Sequence, residues 1–368
     1  MLLALIHLIG SVQCNSALVT VVSSDDIHSL VPMVNFNLHG RHHLMVVDSS
    51  FSGLWVSKVG CVRCPQLQDT PAYEPSVDQL VQGSQMTLQG SVTCSLYNDR
   101  MQIGEMNPLD AQVCAATSVE GIPAGSSGFD GAFGIGRLWQ KNKMLRVIFT
   151  TFHPKLVAIY WDHPRAYGGM RRIGELRFGS LMLDRIASVK WISAVGVGDE
   201  WSISAMRIRL RGFEVSMRKD TMLNTAMHES YFEKQAFDSL IVFLGASLDT
   251  STQRYKVKYD YVESLPKIIV YLSRIAISLD PLSFVDYDLE NAFGDSPDES
   301  TTFAYLSIKQ ADGAMNILGT NVLSNFHIIF DYDAVRIGFG EPIIQNKRKS
   351  GDELGDSTKK HRADGNNQ

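Results

Sequence analysis

Residues 45–56 read Met45-Val46-Val47-Asp48-Ser49-Ser50-Phe51-Ser52-Gly53-Leu54-Trp55-Val56, and the fold turns on how this stretch is read. Three apolar residues lead into Asp48, two serines follow, and Leu54-Trp55-Val56 closes the segment as a second apolar run. A carboxylate at the end of a hydrophobic strand is costly to bury, so it needs hydrogen-bond donors or a chemical reason to be there. Taken alone, Asp48 fits an Asx-turn at a strand end. Only the rest of the chain can give it more meaning.

On the N-terminal side, short apolar runs at 18–22, 31–38 and 44–47 alternate with polar turns, which is a β pattern. On the C-terminal side, 86–104 reads as a long hairpin with Gly90 near its tip and Gly104 at its exit, followed by a strand at 112–117. Residues 129–136 are dense in glycine and apolar side chains, so backbones there should pack closely. The G-x-G inside this stretch lacks the strand-to-helix context of a phosphate loop. A short helix is expected at 138–144, a strand at 157–161 and a boundary loop at 163–172, which carries Pro164 and Gly168-Gly169. The β pattern then resumes at 174–179, 188–195 and 201–213, gives way to a helix at 231–240, and returns at 255–261, 268–277, 302–308, 326–332 and 335–339. Many short strands with few helices predict an all-β protein of two similar halves.

With 368 residues, 45% of them hydrophobic, the chain can build two lobes of ordinary domain size. A formal charge of -5 gives no whole-protein attraction to nucleic acid. Arg207, Arg209 and Arg211 alternate as one solvated strand face, with no aromatic residue interleaved in the sequence. Residues 1–14 carry an apolar run and small residues before Cys14, as a secretory signal peptide would, although a first buried strand also accounts for them. The run is too short to span a bilayer. Cleavage there would leave Cys61, Cys64, Cys94 and Cys114, an even set suited to an oxidising compartment. Cys61 and Cys64 lie near His39, His42 and His43, yet no second C-x-x-C completes a zinc site, so no metal and no other cofactor is expected. Residues 344–368 read as a disordered polar tail whose two basic clusters offer nuclear targeting as the alternative to secretion.

Taken in order, these segments resemble the pepsin-like aspartic peptidase family from about Val31 to Pro342. The first catalytic motif is matched by Asp48 to Val56, its cysteine loop by Cys61 to Cys64, and the motif crossing beneath it by Phe129-Asp130-Gly131-Ala132-Phe133-Gly134. In the second half, Gly174-Glu175-Leu176, Ser264-Leu265-Pro266, Ile317-Leu318-Gly319, Phe330-Asp331 and Ile337-Gly338-Phe339 fall in family order. The resemblance implies a bilobal β fold with an N-terminal lobe at 18–162, an inter-lobe loop at 163–173 and a C-terminal lobe at 174–343. Each lobe would give one Asp to a central cleft. Two such carboxylates share a proton, so that the ionised one activates water while the protonated one polarises the scissile carbonyl.

The chain departs from that pattern where the chemistry is done. Thr221-Met222-Leu223-Asn224-Thr225-Ala226 stands where the second motif belongs, which puts Asn224 in place of the second Asp and Ala226 in place of its Gly. In the first motif Ser50 replaces Gly, and Phe51 replaces a small residue. The flap position that carries Tyr in the family holds Thr87, with Leu88 beside it. Site positions are therefore Asp48, Ser49, Ser50, Asn224 and Thr225, with Ser49 and Asn224 expected to hold the Asp48 carboxylate. Cys94 replaces a small flap residue and Cys114 lies on a strand expected beside it, which suggests the pairs Cys61–Cys64 and Cys94–Cys114.

No basic prosegment fits between residue 14 and the first strands. The expectation is an aspartic-peptidase homologue that is proteolytically inactive, monomeric, and able to hold an extended peptide or partner protein in its cleft, with no nucleic-acid or membrane partner. Two alternatives stand beside it. One is an active endopeptidase that uses Asp220 after a register shift; the other is an inhibitor-like protein acting through the outer lobe surfaces.

Overall fold

The computed structural model describes residues 17–22, 31–65, 71–81, 86–88, 92–120, 129–161, 173–181, 183–204, 206–273, 275–286 and 303–343. The expected signal peptide, nearly all of the inter-lobe loop, the hairpin tip at Gly90 and the C-terminal tail lie outside the described residues.

One sheet of 13 strands runs through both halves of the chain. Its centre is built from runs with almost no polar residue. Leu156–Trp161 is buried along its whole length between Ile173–Phe178 and His327–Asp331, the last also wholly buried. A strand covered on both faces reads as a continuous apolar run and does not alternate. Arg336–Pro342 and Ile186–Ser193 extend the sheet on one side, and Ala17–Val22 and Met33–Leu38 continue it on the other. Because Leu156–Trp161 pairs with strands of the second half, backbone hydrogen bonds join the halves as well as side-chain packing.

Beyond Met33–Leu38 the sheet continues through Arg41–Asp48, Gly131–Gly134, Leu54–Val62, Leu109–Val119, Val92–Ile103 and Met86–Leu88. Val92–Ile103 alternates between buried and more exposed positions, as expected for a strand with one face on the core. The second half carries smaller sheets. Thr221–Leu223 pairs in parallel with Asn316–Leu318, while Arg207–Leu210, Phe213–Ser216, Ile268–Leu272 and Ile275–Leu279 form a four-stranded unit.

Several boundaries differ from the sequence reading. The helix expected at 138–144 is a short 3-10 turn at Trp139–Lys141, followed by an α-helix at Lys143–Thr151. Its buried residues Met144, Leu145, Ile148 and Phe149 follow a helical period, and the Asn142 side chain caps it by accepting from Leu145 N–H. The helix expected at 231–240 begins later, at Lys234, and ends at Gly245, because Ser230–Phe232 is a strand pairing with Ile308–Gln310. The run at 268–277 is a hairpin of two strands, since Ser273 takes a positive φ of 53° at the turn. Arg207 and Arg209 are exposed as expected, but Tyr271 of the adjacent strand sits against both guanidinium groups at 5.2 and 5.3 Å. The aromatic partner missing from the local sequence comes from a neighbouring strand.

Both expected disulfides are present, Cys61–Cys64 and Cys94–Cys114, with Cα separations of 5.7 and 5.5 Å. Cys94 and Cys114 are buried on adjacent strands within a core cluster that also holds Phe51, Trp55 and Val46.

Candidate active site

Two loops meet between the halves, and each leaves a strand at an equivalent point. Asp48 ends Arg41–Asp48 and lies in register with Gly134 of a parallel strand. Asn224 follows Thr221–Leu223, whose Leu223 lies in register with Leu318, and Asn224 N–H donates to Leu318 O at 3.0 Å. Gly134 and Gly319 follow apolar pairs on those two partner strands. A Cβ on Gly134 would collide with the Phe51 and Gly53 backbone, and one on Gly319 with the backbone of His228 and Glu229. Glycine there lets each site loop cross its partner strand at backbone contact distance.

The residues after Asp48 and Asn224 lock the loops together. Ser49 N–H donates to Thr225 Oγ1 at 3.0 Å, and Thr225 N–H donates to Ser49 Oγ at 3.1 Å. Each hydroxyl then donates across the interface, Ser49 to Leu223 O at 2.7 Å and Thr225 to Val47 O at 2.6 Å. Both side chains are fully buried, so these four bonds are shielded from water. The arrangement is two-fold symmetric in its chemistry.

The symmetry extends to the groups that face the cleft. Asp48 Oδ1 accepts from Ser50 N–H at 2.7 Å and from the Ser50 hydroxyl at 2.6 Å. Asn224 Oδ1 accepts from Ala226 N–H at 2.9 Å, which is the same i to i+2 contact. Ser49 therefore does not hold the Asp48 carboxylate, contrary to the sequence expectation; Ser50 does. An Asx-type contact needs a donor two residues on, and the Ser49 hydroxyl is aimed at the opposite loop. Nor do the hydrogen bonds of the described residues include one from the Asn224 amide to Asp48; its recorded side-chain contact is with Ala226.

Burial pushes the Asp48 carboxyl above its ordinary range, and the two Ser50 bonds act against that shift. Desolvation disfavours the carboxylate, whereas donors aimed at it favour the ionised form. Asp48 is thus a single carboxyl with a raised proton affinity, matched across the pseudo-symmetry by a neutral amide. Asp220 does not take the second place. It is exposed ahead of Thr221–Leu223, and its carbonyl accepts from Asn316 N–H at 2.9 Å.

The surroundings explain why the cleft floor is rigid. Phe51 is 2% exposed, in the cluster with Val46, Trp55, Cys94 and Cys114, and Ala226 of the opposite loop packs against that cluster. Its ring fills space beside the first motif that a small residue would leave open. Thr87 and Leu88 lie on Met86–Leu88, in register with Thr93 and Val92, which places them on the hairpin where the flap was expected.

Three residues that sequence reasoning missed hold the halves around the site. Trp201, fully buried, donates from Nε1 to Ile135 O at 2.9 Å, and Tyr332 Oη donates to the same carbonyl at 2.5 Å. Asp199 Oδ2 accepts from Ser52 N–H at 2.8 Å, and its backbone carbonyl accepts from Arg137 N–H at 2.6 Å. A tryptophan, a tyrosine and an aspartate of the second half therefore bond the loops that carry Asp48 and Gly134. Nothing local in the sequence marks them, except that Trp201 and Tyr332 are large amphipathic residues whose polar ends need partners when buried.

Among the described residues no group of three His, Cys, Asp or Glu side chains is arranged to hold a metal ion, and no helix is long and apolar enough to cross a membrane.

A two-lobed β protein with paired site loops locked by reciprocal serine and threonine bonds is the architecture of pepsin-like aspartic proteinases. The family model for eukaryotic aspartyl proteases matches residues 38–342, and the chain belongs to that family. Among solved structures, the crystal structure of aspartic proteinase from Irpex lacteus superposes with a TM-score of 0.70 at 17% identity, covering 90% of this chain and 99% of that one. That likeness shows the fold. No curated protein matches the sequence significantly.

Proposed function

We propose that this chain is a non-catalytic member of the aspartyl protease family, whose cleft holds an extended peptide without cleaving it. The observation that carries the reading is the pairing of Asp48 with Asn224 at equivalent positions of the two locked loops. Peptide hydrolysis by two carboxylates needs one group to take a proton from water while the other gives one to the carbonyl oxygen. Asn224 keeps the shape and the acceptor of a carboxylate but exchanges no proton near neutral pH. Loss of a positioned acid or base typically costs roughly 10²- to 10⁴-fold in rate. Thr87 at the flap position adds to the loss, since in the resemblance that position carries a tyrosine.

Retention of the cleft is supported by the cross-loop bonds and by Trp201, Tyr332 and Asp199, which keep the floor in register without serving chemistry. The two disulfides fit folding in an oxidising compartment, and we place the protein in the secretory pathway on that ground. A fluorescent extended peptide offered to the purified protein tests the binding half of the proposal. Saturable binding that is weakened by Ala226→Trp, with the peptide recovered intact, is the expected result. Absence of binding to any member of a randomised extended-peptide library would overturn it.

A further inference from the structure

Away from Asp48 and Asn224, a groove of about 850 Å³ opens between the Lys143–Thr151 helix and the strand pair Val92–Ile103 and Leu109–Val119. None of the residues bonded to Asp48 or Asn224 lines it. Its apolar part is Ala111, Val147 and Trp139. Trp139 is half-buried, with its ring braced edge-on by Phe149 at 5.6 Å. Around that part stand the exposed cations Arg100, Lys143 and Arg146, none of which forms an ion pair among the described residues.

The acids nearby do not neutralise them. Asp99 is buried, with one oxygen accepting from Tyr73 Oη at 2.6 Å and the other from Arg100 N–H at 2.6 Å. Asp110 is the exposed acid of the lining. The groove therefore carries local positive charge on a chain whose formal charge is -5. An anchored aromatic ring beside unpaired guanidinium groups is the composition that concentrates binding energy in protein interfaces. Its volume is that of a ligand pocket and exceeds what a single ion would need.

We propose that this groove is a second binding site, which takes an acidic peptide segment carrying one large apolar side chain. The apolar side chain packs on Trp139 and Val147, and flanking carboxylates meet Arg100, Lys143 and Arg146. The helix and hairpin that form the walls are both rigidly packed, so the site is preformed. It works independently of the cleft and of the proteolytic state of the protein.

The test uses the full chain and a dye-labelled peptide of glutamates around a central phenylalanine, followed by fluorescence anisotropy. Saturable binding is expected, falling as salt is added, and weakened about tenfold or more by the double substitution Arg100→Glu and Arg146→Glu. Thr150→Trp, at an exposed helix position of the lining, blocks the groove without touching a charge and gives a second, independent loss. Unchanged melting temperatures show that the variants fold. The proposal is overturned if the glutamate peptide fails to bind, if a lysine counterpart binds equally well, or if both variants keep full affinity. Capture of inorganic polyphosphate without capture of the peptide also overturns it.

Discussion

Ser49 and Thr225 each donate a backbone N–H to the other's hydroxyl, at 3.0 and 3.1 Å, although 176 residues separate them in sequence. Everything that faces the cleft is fixed by this exchange, because Asp48 and Asn224 are the residues immediately before it. Thr225→Val keeps the volume but leaves Ser49 N–H and Val47 O without their side-chain partner. Such buried orphans cost about 1–3 kcal/mol each. Urea denaturation should show a loss of about 2–4 kcal/mol in Thr225→Val. An unchanged midpoint would mean that the exchange contributes nothing to holding the loops.

Acid should weaken this protein, which is unexpected for a fold associated with acidic proteolysis. His43 and His327 are buried, and burial lowers each imidazole to about 4 from a usual 6.5. A base with a depressed folded pKa binds fewer protons in the folded state, so its protonation favours unfolding. Stability is full above about pH 6.5, falls as pH drops toward 4, and levels off below that. Each histidine contributes a loss of about 3 kcal/mol across that window. The raised Asp48 carboxyl acts in the opposite sense, since the folded state holds its proton more tightly. Melting temperatures measured through this range should drop, and the drop should shrink in a His43→Phe and His327→Phe double variant. A flat profile in the unaltered protein would contradict the assignment.

Asn224→Asp provides a direct probe of the pseudo-symmetry. A second carboxylate would stand opposite Asp48, where both cannot ionise side by side. One of the pair then takes a raised pKa, so the variant's stability relative to the parent should improve as pH falls. Equal pH dependence of the two proteins would show that the groups do not interact.

Trp201→Phe removes one of the two donors to Ile135 O while Tyr332 keeps the other. A loss of about 1 kcal/mol is expected. Trp201→Ala also opens a cavity and should cost about 3–5 kcal/mol in chemical denaturation. A smaller loss in Trp201→Ala than in Trp201→Phe would refute the packing role.

Much of this was legible in the sequence. Asp48, Asn224, Thr225 and the glycines at 134 and 319 sit inside ordered motifs, and the two disulfides followed from where Cys94 and Cys114 fell in those motifs. The exchange of roles between Ser49 and Ser50 was not legible. Both are serines, and only the backbone geometry decides which hydroxyl turns back to Asp48 and which crosses to Leu223. The Lys143–Thr151 helix was read too short because Val147, Ile148, Thr150 and Thr151 are β-branched, and packing of Ile148 and Phe149 overrides that preference. Trp201, Tyr332 and Asp199 act across the halves, and a pattern read along the chain does not reveal such partners.

The central claim is that Asp48 stands without a proton-sharing partner and cleaves nothing. Its most direct test is incubation of the purified full chain with an unfolded protein substrate across acidic to neutral pH, with products read by mass spectrometry. The account predicts intact substrate throughout, indistinguishable from the Asp48→Ala variant. Peptide products that disappear in Asp48→Ala would contradict it.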